Sequence, residues 1–135
     1  NQSFEFLLPK YKDIPKWILN SKSYFVNFLA GYTDAEGNIG CYPRARLKIT
    51  SYDYGILKGI GYGLRKYFSI DPVYFLEKTN RATHRKDALS LIINNMYHVH
   101  SFLKFITPHL KHEKRKKDAV ITFESIKNRK YFHAK

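Results

Sequence analysis

Residues 29–37 read Leu-Ala-Gly-Tyr-Thr-Asp-Ala-Glu-Gly and close a stretch, from about Tyr24 to Glu36, with the period of a helix. Phe25, Phe28, Leu29 and Tyr32 fall at i, i+3, i+4 and i+7, which makes one apolar face. Asn20, Ser21 and Ser23 are candidate caps before it, and Gly37 is a candidate stop after it. A second stripe, small-sided, runs beside the aromatic one: Asn27, Ala30, Gly31, Asp34 and Ala35. Glycine inside a helix costs about 1 kcal/mol against alanine. Two readings of Gly31 compete: it admits the backbone of another helix, or it clears a core aromatic. Asp34 and Glu36 add a conflict of charge. They stand where the helix presents its unpaired carbonyls and negative pole. Each placement costs roughly 0.3–1 kcal/mol when exposed, and the two acids repel each other. A divalent cation that prefers hard oxygen ligands, such as Mg²⁺, would remove the conflict. Two solvated acids at a helix end is the plainer alternative.

Downstream the period changes from helical to alternating. Arg44, Arg46, Lys48 and Thr50 alternate with Ala45, Leu47, Ile49 and Ser51, the pattern of a half-buried strand with a strongly basic face. Residues Asn38 to Tyr42 are expected as its hairpin partner, with the turn near Pro43. Asp53 to Tyr67 reads as a second helix with Ile56, Leu57, Ile60 and Leu64 inward, although Gly59, Gly61 and Gly63 weaken its middle. Val73–Lys78 and Ala88–Ile93 are short β-prone runs separated by the basic loop TNRATHRKD. Tyr97–Ile106 is helical up to the interruption at Pro108. Lys111–Lys127 is a last helix with Ala119, Val120, Phe123 and Ile126 as its buried stripe. Residues 1–22 carry Pro9 and Pro15 and read as an extended arm with a short turn around Trp17; residues 23–135 read as a single domain. The expected architecture is α+β: a four-stranded antiparallel sheet with helices on one side, leaving the other side free.

Composition limits what such a surface can meet. The chain has 135 residues, 44% of them hydrophobic and 16% aromatic, enough for one core. Its 24 Lys and Arg outweigh 11 Asp and Glu, a net charge of +13. So much like charge on a short chain calls for an anionic partner; nucleic acid leads and an anionic membrane surface is second. No apolar run approaches the roughly 18 residues of a membrane span, and the opening NQSFEFLLPKYKD lacks the pattern of a signal peptide. With no initiator Met, further residues are expected upstream. The lone Cys41 excludes an internal disulfide framework and a cysteine-ligated zinc site, which fits a reducing intracellular compartment, cytoplasm or organelle. Six histidines form no H-x-x-x-H pair and read as surface or packing residues.

The run Phe28-Leu-Ala-Gly-Tyr-Thr-Asp-Ala-Glu-Gly-Asn-Ile39 resembles the signature of the LAGLIDADG homing endonucleases. Leu29, Ala30, Gly31, Asp34, Ala35 and Gly37 match it, Glu36 is the acidic alternative at the eighth position, and Tyr32 and Thr33 depart at two hydrophobic positions. The order of elements agrees over about Ser23 to Lys127. The resemblance implies an αββαββα fold whose saddle-shaped sheet sits over the DNA major groove. It also implies a pairing of two signature helices, and, with one signature in the chain, a homodimer on a near-palindromic site in double-stranded DNA. It assigns Glu36 as the catalytic acid and metal ligand, with the Ala35 carbonyl beside it. Asn27, Ala30, Gly31 and Asp34 become the dimer interface. Mg²⁺ is the implied cofactor, with Mn²⁺ a substitute and Ca²⁺ supporting binding without cleavage. A lysine of the run 108–117 is expected to stabilise charge during hydrolysis; Lys114 fits best, with Lys111 and Lys116 as alternatives. The DNA-binding set is Arg44, Arg46, Lys48, Ser51, Tyr74, Lys78, Arg81, His84, Arg85 and Lys86, and Thr50 with Ser51 would orient water near Glu36. The register of the third strand stays open, since Val73, Phe75 and Glu77 are the alternatives to Tyr74 and Lys78. Two other readings remain: an intron-encoded maturase or a regulator of the same fold that binds intron RNA or DNA without cutting, and one half of a tandem or intein-borne enzyme. The lead-in Asp13-Ile-Pro-Lys-Trp-Ile18 prompts the latter.

Overall fold

The computed structural model describes residues 13–40, 44–78 and 86–134, with side chains as far as Arg129. The order is a short helix α1 (Lys16–Leu19), α2 (Lys22–Glu36), β1 (Gly37–Gly40), β2 (Arg46–Ser51), α3 (Tyr54–Phe68), β3 (Val73–Glu77), β4 (Ala88–Ile93), α4 (Met96–Ile106), a 3₁₀ turn (Thr107–His109) and α5 (Glu113–Ala134). The strands form one antiparallel sheet in the order β1-β2-β4-β3. This is the expected α+β αββαββα arrangement. The expected turn at Pro43 lies outside the described residues.

Each element begins and ends for a local reason. Ser21 caps α2, its Oγ accepting from the Tyr24 N–H. The helix ends at Gly37 in extended backbone, not in a left-handed turn, and a Cβ there would stand 2.6 Å from the Thr33 carbonyl oxygen. The chain can therefore leave the helix straight into β1 only if residue 37 lacks a side chain. In α3 the glycines do not break the helix. A Cβ at Gly63 would lie 2.2 Å from the Phe25 ring, so the glycine is what lets Phe25 of α2 lie against this helix. Asn95 caps α4, accepting from the N–H groups of Tyr97 and His98.

One face of the sheet is covered. Leu47, Ile49, Leu91 and Ile93 are buried there with Phe25, Leu29 and Tyr32 of α2, Ile56, Leu57, Ile60 and Leu64 of α3, Val99, Phe102 and Leu103 of α4, and Ala119 and Ile126 of α5. Ile14 and Ile18 join this core, so residues 13–22 pack as part of the domain and not as a free arm; residues 1–12 lie outside the described residues. No helix among the described residues is long and apolar enough to cross a membrane.

Candidate active site and nucleic-acid interface

The covered sheet leaves its other face open, and the strand register fixes what stands on it. Asn38, Lys48, Ile92 and Val73 form one row across β1, β2, β4 and β3. Thr50, Ser90 and Phe75 form the next row toward the start of β1, and Gly40 with Arg46 lie on the other side. Arg46 is exposed and Lys48 half-buried on this face, as the alternation read in the sequence expects; Arg44 is exposed just before the strand. Lys48 makes an ion pair with Glu77, across β4. That partner, with a smaller contribution from the Ser90 hydroxyl, holds the Glu77 carboxyl below its usual range. Thr50 and Ser90 share a hydrogen bond of 2.8 Å beneath.

Several expected members of that face are elsewhere. Tyr74 points to the helices: its hydroxyl donates to the Leu57 carbonyl at 3.1 Å. Val73 and Phe75 take the open side in its place, with Glu77. Lys78, just past the strand, is exposed but shares the parity of Tyr74. Ser51 also faces the helices, accepting from the Tyr32 hydroxyl at 2.9 Å. Lys86 lies with its ammonium 4.3 Å from the Tyr54 ring centroid and lines a hollow with Tyr52, Asp53 and Gly55. Arg81, His84 and Arg85 lie outside the described residues.

The signature helix delivers its two acids to different fates. Asp34 accepts at both carboxylate oxygens, from the Lys111 N–H at 2.8 Å and the His112 N–H at 3.2 Å. It thereby fixes the lead-in to α5, near whose N-terminal pole a carboxylate is favoured. Glu36 is exposed and has no hydrogen-bond or ion-pair partner among the described residues. Partial desolvation raises its pKa above the ordinary carboxylate value, and the charge of Asp53 pushes the same way. The charge of Arg115 opposes both.

Asp53 and Arg115 were not expected at this centre. Asp53 precedes α3 as a cap would, but its side chain makes no capping bond. It accepts instead from Ser51 Oγ at 3.4 Å, while its own N–H donates back to that oxygen at 3.0 Å. The chain Tyr32–Ser51–Asp53 thus runs from core to surface beside Glu36, and burial pushes the Tyr32 hydroxyl up to about 12. Arg115 stands at i−4 from the buried Ala119, which gives it an inward position on α5 that a run of eight basic and polar residues conceals. Lys111, Lys114 and Lys116 are all exposed. Lys114 lines a surface hollow with Lys117, Val120 and Ile121, on the outer flank of α5. Lys111 is held by its backbone to Asp34, two residues from Glu36.

On the small-sided stripe, Asn27 and Ala35 are exposed and Gly31 is half-buried. Ala30 belongs to the core instead, 1% exposed, and Asp34 is engaged within its own chain. The open stripe is therefore Asn27, Gly31 and Ala35.

A basic open sheet thus stands beside an acid that has no partner among the described residues. No family model matches the sequence, and no curated protein does. Among solved structures the chain is similar to the homing endonuclease I-CvuI in complex with the I-CreI target (C1221) in the presence of Mg, in which the DNA is not cleaved, at TM-score 0.57 and 17% identity over 78% of this chain and 68% of that one. It is equally similar to I-CvuI in complex with its own target (Sro1.3) in the presence of Ca, at TM-score 0.57 and 18% identity over the same shares. The chain has the homing-endonuclease fold that its signature resembles.

Proposed function

We propose that the chain is a site-specific DNA endonuclease that hydrolyses phosphodiester bonds in double-stranded DNA with a divalent metal, as a homodimer on a near-palindromic site. The observation that carries this reading is Glu36. It is an acid at the wrong pole of a helix, without a hydrogen-bond or ion-pair partner among the described residues, pushed further toward protonation by Asp53, and placed at the edge of an open face carrying Arg46 and Lys48, with Arg44 exposed just before β2. Such a carboxylate fits a hard cation, with the Ala35 carbonyl as neighbouring ligand. Bound there, the ion would stabilise charge on the scissile phosphate and acidify an attacking water. Glu36 would hold it, and Asp53 would add negative potential. Arg115 offers positive charge to the phosphate from the other side. Lys114 is the lysine of the run proposed to share that task, with Lys111, whose N–H is held by Asp34, and Lys116 as alternatives. The loop residues Arg81, His84 and Arg85 are assigned to backbone contacts. The Asn27, Gly31 and Ala35 stripe would face its copy and bring two acids together, one for each strand.

The test is cleavage of a randomised-site duplex library by the full chain with Mg²⁺, with Ca²⁺ as the control for binding alone. Recovery of a near-palindromic cut site supports the reading. Selection of a defined site that is never cut would move the protein to the non-cutting regulators or maturases.

A further inference from the structure

The open face is not uniformly basic. On β2 it presents Arg46, Lys48 and Thr50; on β3 it presents Val73, Phe75 and Glu77, with no cation among them. Val73 is 53% exposed and Phe75 57% exposed, and Ile92, directly across from Val73, is half-buried beside them. Cross-strand neighbours on one face lie about 5 Å apart, so these side chains form one apolar ridge flanked by polar rows. Phosphates cannot be its partner. A strand with two apolar side chains and one carboxylate gains nothing from a polyanion. Base edges can be, and the major groove displays a single apolar group, the thymine C5 methyl.

We propose that β3 reads thymine methyls in the major groove, through Val73 and Phe75, while Arg46 and Lys48 on β2, with Arg44 just before it, hold phosphates and hydrogen-bonding base edges. Each half-site is thereby split in chemistry, polar contacts along one track and methyl contacts along the other. The proposal rests on the DNA-binding reading above, and charge complementarity argues for that occupant: the ridge lies on the same face as the basic row of a chain with net charge +13.

The test starts from the duplex selected by the wild-type chain in Ca²⁺. Thymines in each half-site are replaced one at a time by deoxyuridine, which keeps every hydrogen-bonding edge and removes only the methyl. Affinity should fall roughly fourfold for each methyl that is read, at one or more fixed positions per half-site. Phe75→Ser should abolish the thymine-over-uracil preference at its position while leaving the slope of log affinity against log salt unchanged. Val73→Thr, nearly isosteric, serves if the serine variant does not fold. A chain that binds its selected duplex yet tolerates uracil at every position overturns the methyl reading and leaves DNA binding intact. A chain that selects no duplex overturns the DNA reading itself. A Phe75 variant whose solution mass falls while its uracil tolerance is unchanged would show the ridge to be a protein contact, which also overturns the proposal.

Discussion

Asp34 and Glu36 sit two residues apart at the same helix end, and the fold resolves the charge of one only. Asp34 exchanges a poor helix terminus for a favourable one by accepting from the backbone ahead of α5. Glu36 keeps the conflict, which is the pattern of a functional residue that stability alone would remove. The consequence has a sign. Its folded pKa lies above the unfolded value, so the folded state binds that proton more tightly. Stability is then favoured at low pH and lost as pH rises through the raised pKa. Glu36→Gln should therefore melt roughly 1–4 °C higher than wild type at pH 7 without metal, and the two should converge near pH 4. Added Mg²⁺ should raise the wild-type midpoint and leave the variant's unchanged. The variant should bind DNA as well as wild type or tighter, since a negative charge near a phosphate is gone, yet cut several orders of magnitude more slowly. Paired melts with single-turnover cleavage decide it: equal metal stabilisation of both proteins, or cleavage at the wild-type rate, would place the metal elsewhere.

At the scale of elements, the link between α2 and α5 is the one that ties the site to the rest of the fold. Its two charge-assisted bonds span 77 and 78 residues of chain. Removing the acceptor leaves two N–H groups at the head of a helix without it, so Asp34→Ala should cost roughly 1–3 kcal/mol. Urea denaturation should show it as a lower midpoint at unchanged slope. Cleavage should fall too, because the lead-in to α5 and, with it, Arg115 near Glu36 would lose their anchor; a variant as stable as wild type would show the link to be incidental. The same bond marks what local pattern can reveal. Strand β2 was readable because Arg44, Arg46 and Lys48 alternate with Ala45, Leu47 and Ile49, and α2 because its aromatics repeat at helical spacing. The same alternation sets Ser51 inward, where it lies, against its assignment to the DNA-binding set. The register of β3, and with it the inward Tyr74, stays open to pattern because this edge strand reads Val73, Tyr74, Phe75 and Leu76, all apolar or aromatic, and period 2 leaves no mark. Asp34, Asp53 and Arg115 were illegible for a different reason: their partners are brought in by tertiary packing. Ala30 followed the stripe by spacing alone, while burial assigns it to the core.

For the whole molecule, two properties follow from charge and from the uncovered helix face. With 24 basic residues against 11 acidic ones, affinity for DNA should fall steeply with salt, with a slope of about −0.9 in log–log terms for each phosphate neutralised. Arg46→Ala should reduce that slope if it holds a phosphate and relax base preference if it reads an edge; a titration unchanged in both would place the basic row off the DNA. Association is the second property. Asn27, Gly31 and Ala35 open a strip along α2 where side chains end early, and Tyr24 and Trp17, 56% and 61% exposed with rings 5.5 Å apart, continue the exposed surface at its start. A second copy laid along that strip could approach at backbone distance, which would set both Glu36 carboxylates at one centre. Gly31→Leu blocks the approach. It should not harm the isolated chain, because leucine is favoured over glycine within a helix by nearly 1 kcal/mol. The expected variant is folded, monomeric by sedimentation at concentrations where wild type is a dimer, and unable to cut both strands. Its thermal midpoint, taken under dilute conditions where wild type has dissociated, should be equal or higher, which separates lost pairing from lost folding. A variant that sediments as a dimer and still makes double-strand breaks would show that the two copies, if they pair, meet through another face.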